Sequence, residues 1–313
     1  MPGSYDASMV PRSTGRCQRR PLPLPPASAA ARLLPPDAVG VGPLRRDVWT
    51  GVVWSRLGRG DRAWSWWRRA AAALHADLDP GSGTEVRHVR AWIAAERGRV
   101  LRELGLHAHA EALETPALLA LRARPGTDPV GEAMLLVSLA ADAVGRHRTE
   151  LAGHRLAAAR EALTRAGDAP RVARQRLRAS WVEVEIAFLR GVRPDPDTLP
   201  HWDPVGQRPV LPPDHAHGTD FHTAKGLLFA GVVARDPRLL RAALDLAPPV
   251  LGWAVALALE DVEVAGHSLS ARPLGTARLA WMQMVPPPSF AAAVARTPTA
   301  ERLQTAGGAD RLG

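Results

Sequence analysis

The sequence predicts an all-α protein built from a series of antiparallel helical hairpins. Three observations support this fold class. Apolar residues recur at three- and four-residue spacing in segments of about 12 to 20 residues, short Gly, Pro and Asp clusters separate these segments, and the alternating pattern typical of strands is nearly absent. The 313 residues are enough to bury a substantial apolar core.

The predicted helices follow one another from residue 44 onward. They lie at about 45–57, 61–78, 84–104, 107–123, 129–145, 150–166, 171–190, 219–234, 237–246 and 249–263. Proline lacks the backbone N–H that a helix interior requires, so the Pro-rich stretch 192–218 is predicted to be a loop. The chain is thereby divided into helical hairpins at 44–191, this loop, and C-terminal helical hairpins at 219–265.

Both ends of the chain lack a clear periodic pattern. Residues 1–43 combine many prolines with scattered arginines, which predicts a disordered basic arm. Residues 266–313 contain three consecutive prolines, Pro286 to Pro288. We expect an irregular, poorly ordered tail there.

Small residues recur at matched places in the first four helices. The first copy contains Gly51, Trp54, Leu57, Gly58, Ala63 and Ala70, and the second contains Gly98, Leu101, Leu104, Gly105, Ala110 and Ala117 at the same spacing. Glycine inside a helix allows a second helix to approach closely. Glycine after a helix accepts the left-handed backbone that ends it. A weaker third copy runs from Gly131 to Gly167.

This arrangement resembles the tetratricopeptide repeat (TPR) family. The resemblance covers residues 45–167 well and 171–263 poorly, and the 47-residue spacing from Gly51 to Gly98 exceeds the roughly 34 residues of a regular repeat. It implies a right-handed α-solenoid whose concave groove, lined by the first helix of each hairpin, binds a segment of a partner.

The resemblance also implies, by register, which residues face the groove. The first two hairpins contribute Arg45, Val48, Val52, Arg56, Trp92, Arg99, Arg102 and Glu103, and the third contributes Glu132, Leu135, Leu139 and Asp142. Guanidinium groups bind carboxylates in a bidentate manner, and a tryptophan can supply an apolar anchor. The expected partner is therefore another protein that presents an acidic segment.

The net charge of +9 supports an alternative, a nucleic-acid-associated regulatory protein that uses the basic arm and the arginine-bearing helices. However, 39 of the 40 basic residues are arginines, Lys225 is the only lysine, and Ala, Pro and Gly are also abundant. This bias is typical of coding in high-GC bacterial genomes. A protein partner is therefore favoured over nucleic acid.

A second alternative is a metal site near the Pro-rich loop. The region contains His201, Asp203, Asp214, His215, His217, Asp220 and His222, and such side chains are ligands for zinc or iron. Their spacing matches no rigid ligand template, so His215, His217 and His222 are only weak candidates. No hydrolase, zinc-protease, Walker or dinucleotide-binding motif is present, and we expect a non-catalytic protein without a cofactor.

Three tryptophans in one helix suggest a stacking surface, but helical geometry favours core packing. Trp64 and Trp67 are three residues apart and share a face, whereas Trp66 is predicted to point elsewhere.

The sequence contains no stretch of about 20 apolar residues and no signal-peptide pattern. Cys17 is the only cysteine, which excludes an intramolecular disulfide. We therefore expect a cytoplasmic protein that does not enter membranes.

Overall fold

The computed structural model describes residues 24–26, 42–76, 84–123, 128–167, 170–195, 199, 202–203, 208–209, 220–265 and 272–309. In these ranges the extended structure is limited to the two-residue strands β1 (Trp202–Asp203) and β2 (Arg208–Pro209), which pair antiparallel, and one isolated bridge. The predicted all-α fold class is confirmed. Within the same ranges, none of the helices is both long and apolar enough to cross a membrane.

The helices follow the predicted order. They are α1 (Pro43–Arg56), α2 (Gly60–Ala76), α3 (Thr84–Glu103), α4 (His107–Arg122), α5 (Pro129–Gly145), α6 (Thr149–Ala166), α7 (Pro170–Leu189), α8 (Asp220–Ala234), α9 (Pro237–Leu246), α10 (Pro249–Ala265), α11 (Arg272–Met282), α12 (Ala291–Val294) and α13 (Pro298–Ala309). The first ten agree with the predicted helices to within two residues at each end. Pro116 lies inside α4 without ending that helix.

The C-terminal segment corrects one expectation, because α11, α12 and α13 occupy much of the region predicted to be an irregular tail. Ala277 of α11 and Leu303 of α13 are buried in one cluster with Ala256 of α10. The backbone N–H of Val285 also donates to the carbonyl of Gly58 at 2.7 Å. This segment packs against earlier helices. Local periodicity of the sequence carries no information about such contacts.

Consecutive helices pack against each other as hairpins. The pairs are α1 with α2, α3 with α4, α5 with α6, α8 with α9, and α10 with α11. A Cβ atom at Gly51 would overlap the indole of Trp67, and one at Gly98 would overlap the carboxyl group of Glu114. Each partner comes 16 residues after its glycine. The absence of a side chain at these glycines therefore makes room for a bulky or charged group from the second helix.

Five helices end with the same backbone geometry. A residue with positive φ follows each of α1, α3, α5, α7 and α8: Gly58, Gly105, His147, Gly191 and Arg235. In each case the next N–H donates to the carbonyl five residues before it, at 2.8 to 2.9 Å. These Schellman-type ends recur at intervals of 47, 42, 44 and 44 residues. The recurrence extends beyond the two clear copies in the sequence. His147 and Arg235 take a position that glycine usually occupies, so glycine spacing alone does not reveal these two helix ends.

Candidate functional site

A cavity of about 330 Å³ is lined mainly by α1, α3, α5, α7 and α8, the five helices that share this ending. Its polar lining consists of Arg56, Glu96, Arg99, Arg102, Glu103, His107, Arg174, Arg178, Glu185, His222 and Lys225. Its apolar lining consists of Ala95, Val137, Ala141, Val144, Trp181, Val182 and Phe221. The cavity has room for several water molecules, each of which takes up about 30 Å³ in the liquid, or for a small organic group.

Arg99 is held by carboxylates of its own helix. Its Nε donates to Glu96 at 2.8 Å and its Nη1 donates to Glu103 at 2.6 Å, while Nη2 donates to the hydroxyl of Ser55 on α1. Burial alone would lower the pKa of Arg99, but Glu103 and Glu96 raise it above its usual value. The charge of Arg99 is therefore largely neutralised within the protein.

Arg102 lies over a buried pair of acids. Its Nη1 donates to Glu114 Oε1 at 2.9 Å and to Asp142 Oδ1 at 3.1 Å, and both carboxyl side chains are fully buried. Burial is the main cause that raises the pKa of Glu114 well above its usual range and also raises that of Asp142. Burial and mutual repulsion therefore favour a single shared proton on this pair of carboxyl groups. Together they supply about one negative charge to Arg102.

His107 is a neutral member of the lining. Its Nδ1 is 3.9 Å from Asp142 Oδ1. Burial, followed by the positive charges of Arg102 and Arg146, lowers the pKa of His107 to about 4. The imidazole therefore carries no charge near pH 7.

Arg56 and Arg178 are cations in a positive environment. Burial is the largest cause that lowers the pKa of Arg56 to about 9 and that of Arg178 to about 10, and in both groups Arg174 lowers the pKa further. Arg178 donates to two neutral acceptors, Gln175 at 2.8 Å and Ser138 at 2.9 Å. Arg56 lies over Phe221, with 5.0 Å from Cζ to the ring centroid. An anion in the cavity would reduce this repulsion.

Aromatic rings position Lys225. Its Nζ is 4.9 Å from the ring centroid of Trp181 and 5.7 Å from that of Phe229. Trp181 is stacked with Phe229 and with His222, at centroid distances of 6.0 and 6.2 Å. Burial lowers the pKa of Lys225, although Glu185 acts in the opposite direction. The ammonium group is thus held by cation–π contacts.

The formal charges leave the cavity positive. Six cations line it, and Glu96, Glu103 and Glu185 supply three negative charges. The Glu114–Asp142 pair behind Arg102 supplies about one more. Counted with these formal charges, the cavity has a net charge of about +2, in surroundings where water screens charge poorly.

The structure brings four of the six principal groove candidates to this cavity: Arg56, Arg99, Arg102 and Glu103. Arg45 is instead in an exposed ion pair with Glu85 at 2.6 Å. Trp92 is buried in the core, packed edge-to-face on Trp49 at a centroid distance of 4.7 Å. Neither Arg45 nor Trp92 lines the cavity, so Trp92 does not supply the apolar anchor that was expected there.

The remaining groove assignments need correction as well. Val48, Val52, Leu135 and Leu139 are core residues with 0 to 2% exposure. Glu132 pairs with Arg122 and Arg165, and Asp142 pairs with Arg102. The third hairpin instead lines the cavity through Val137, Ala141 and Val144 of α5. Because α5 also packs against α3, α4, α6 and α7, only a narrow strip of its surface faces the cavity.

The tryptophan cluster is mostly core, with one difference from the prediction. Trp67 is fully buried, as expected, and Trp66 is also buried at 5% exposure. Trp64 is partly buried and lies edge-to-face on Phe290, at a centroid distance of 5.5 Å. The difference is therefore Trp66, which is buried instead of pointing away from the core, while Phe290 of the C-terminal segment packs on Trp64.

The weak metal candidates do not form a cluster in the part of the chain that is described. His215 and His217 lie outside it, as does most of the basic arm, and His222 is buried against Trp181. Within the described ranges, no group of three or more His, Cys, Asp or Glu side chains is arranged to hold a metal ion.

Sequence reasoning missed the contribution of α7 and α8. Arg174, Arg178, Trp181, Glu185 and Lys225 all line the cavity. The first four lie on α7 at spacings of three or four residues, which would have indicated a shared helix face, and Lys225 lies on α8. The repeat signal is weak after residue 167 and left α7 without a predicted partner, so this face could not be assigned to the same cavity as α3.

The chain was compared with protein-family models, with curated proteins and with solved structures, and none of the three comparisons found a match.

Proposed function

We propose that this chain is a non-catalytic interaction module, a scaffold or regulatory adaptor, that binds an acidic segment of a partner protein. In this proposal its hairpins form a TPR-like, right-handed solenoid, and the first helices of successive hairpins supply the binding groove. The single observation that carries the proposal is the cavity, because five helices with the same recurrent ending converge on it and leave it positively charged.

The arrangement of charges supports a ligand with carboxylates. Arg178 donates to the neutral side chains of Gln175 and Ser138, and Lys225 lies against aromatic rings, so an incoming acid can approach both cations without displacing a hydrogen-bonded carboxylate. Arg99 and Arg102 are already bound to Glu96, Glu103, Glu114 and Asp142. In the proposal these two arginines therefore organise the cavity, and α7 and α8 provide the cations that contact the ligand.

A binding measurement with labelled peptides tests the proposal. Short peptides rich in Asp and Glu are compared with matched peptides in which every acid is replaced by its amide, using fluorescence anisotropy and the full chain. We expect saturable binding of the acidic peptides only, weakened by at least about tenfold in Arg178→Gln, since a charge-assisted bond is lost. Arg238→Gln is the matched control, because Arg238 is an exposed arginine of α9 outside the cavity.

The same anisotropy assay also tests the alternative that the protein binds nucleic acid. Oligonucleotides are titrated under the same conditions at several salt concentrations, with the full chain and with a variant lacking residues 1–43. Tight oligonucleotide binding that falls steeply with salt, together with no preference for acidic over amide peptides, would contradict the proposal. The cytoplasmic location expected from the sequence stays part of the proposal.

A further inference from the structure

We propose that the cavity takes a dianionic phosphoryl group, carried by an organic phosphate monoester or by a phosphorylated side chain. This inference rests on the proposed function in that it names the acidic group for the same cavity. It specifies a charge of about −2 on a single tetrahedral group, rather than an acidic segment in general.

The first argument is the origin of the cations. Arg56, Arg178 and Lys225 come from α1, α7 and α8 and reach one space from three sides. Arg178 is held by an amide and a hydroxyl, Lys225 by aromatic rings, and Arg56 lies over Phe221. Arg178 and Lys225 are positioned in advance by neutral groups and rings, so they lose little freedom when an anion binds.

The second argument is the size of the charge. The cavity has a net charge of about +2, so one carboxylate leaves about half of it without compensation. A phosphate monoester carries about −1.5 to −2 near pH 7 and offers three acceptor oxygens. Arginine guanidinium groups bind such oxygens in a bidentate manner. One phosphoryl group therefore balances the positive charge of the cavity and also offers acceptor oxygens to its arginine donors.

The third argument is the apolar wall. Val137, Val144 and Val182 come from α5 and α7, and the rings of Trp181 and Phe221 complete the wall. A free inorganic ion leaves this surface without a contact, whereas the organic part of a monoester covers it. The lining therefore favours an organic phosphate over inorganic phosphate.

Isothermal titration calorimetry with the full chain tests the charge requirement. The probes are phenyl phosphate, phenyl sulfate and inorganic phosphate. Phenyl sulfate is the matched control, because it has the same shape and a charge of only −1. We expect phenyl phosphate to bind at least about tenfold more tightly than either other probe, which corresponds to about 1.4 kcal/mol. Equal affinities for phenyl phosphate and phenyl sulfate, or no binding of phenyl phosphate, would overturn the inference.

Two variants locate the site. Lys225→Met keeps most of the length of the side chain and removes its charge, so phenyl phosphate binding should weaken by at least about tenfold. Arg238→Gln removes one charge outside the cavity and should change the affinity by less than about twofold. Arg178→Gln repeats the test from another helix in case Lys225→Met does not fold. Unchanged binding in whichever cavity variants fold, as judged by circular dichroism, would place the anion elsewhere and contradict the inference.

Peptides separate the two sources of the phosphoryl group and separate this inference from the proposed function. A phosphoserine peptide is compared with the same peptide carrying glutamate or serine at that position. Preference for phosphoserine assigns the site to a phosphorylated partner, whereas binding of phenyl phosphate without any peptide binding assigns it to a small monoester and ends the protein-binding proposal. Equal binding of the phosphoserine and glutamate peptides keeps the proposed function and overturns the phosphoryl inference.

Discussion

The carboxyl group of Glu114 lies in the space that a side chain at position 98 would occupy, so the two helices of the second hairpin meet around a buried acid. Glu114 has no exposed surface and accepts a hydrogen bond from Arg102 at 2.9 Å. Gly98 thus does more than allow two backbones to approach. Its missing side chain allows the Arg102–Glu114–Asp142 network to form beside the cavity.

Replacing Gly98 by alanine should destabilise the protein by about 3 kcal/mol, because the added methyl group displaces Glu114 from Arg102 and leaves buried charges poorly paired. Urea unfolding at neutral pH measures the change. Gly153→Ala is the control, because that glycine is inside α6 and an added Cβ would meet only Arg190, at 3.6 Å. The control should gain about 0.5 to 1 kcal/mol from helix propensity. Equal effects at both positions would contradict the prediction.

Two arginines of the same cavity should respond in opposite directions to replacement by methionine. Arg102→Met leaves Glu114 and Asp142 without their cation and should cost about 3 to 5 kcal/mol. Arg56→Met removes a buried cation that Arg174 and Arg99 repel more strongly than Glu96 and Glu103 attract it, and should gain about 1 kcal/mol. Denaturant unfolding of the ligand-free chain checks both. A loss of several kcal/mol in Arg56→Met would show that this arginine is well compensated.

His107 should make the protein less stable in acid. Its pKa is lowered from 6.5 to about 4 in the folded protein, so the unfolded chain takes up this proton at a higher pH than the folded chain. The associated stability is complete above about pH 6.5 and is lost as the pH falls toward 4. Between pH 7 and 4.5, the wild-type chain should lose about 2 kcal/mol more than His107→Gln.

Urea unfolding at the two pH values measures that difference. His154→Gln serves as the matched control, because His154 is exposed on α6 and should lose as much stability as the wild type. Identical pH dependence in His107→Gln and the wild type would mean that this imidazole is not held neutral by its surroundings.

The recurrent helix ending predicts a reciprocal pair of substitutions. Gly191 has φ of 71° and nothing within 4 Å of an added Cβ, so Gly191→Ala tests backbone strain alone and should cost about 1 kcal/mol. Arg235 has φ of 52° at the equivalent position after α8. Arg235→Gly should therefore gain about 0.5 to 1 kcal/mol. Thermal unfolding of both variants measures the shifts, and shifts of the same sign would exclude equivalence of the two positions.

Parts of the site were predictable because they depend on residues close together in the chain. Arg99, Arg102 and Glu103 share one face of α3 by spacing alone, and this face does line the cavity. The sequence could not indicate that Arg102 would find Glu114 and Asp142, which are 12 and 40 residues away. The position of each arginine in the repeat therefore placed it in the site. It did not show which arginines are already paired with carboxylates of the protein.

The sequence by itself determined the helices α1 to α10 and the left-handed turns at Gly58 and Gly105, because periodicity, proline and glycine act over a few residues. Only the tertiary structure decided that α7 and α8 complete the cavity and that the C-terminal helices pack on α10. Those outcomes depend on which helix faces meet, and contact energies between distant segments leave no periodic signal in the chain. For the same reason, the cavity's charge of about +2 follows from pairings that the folded chain alone creates.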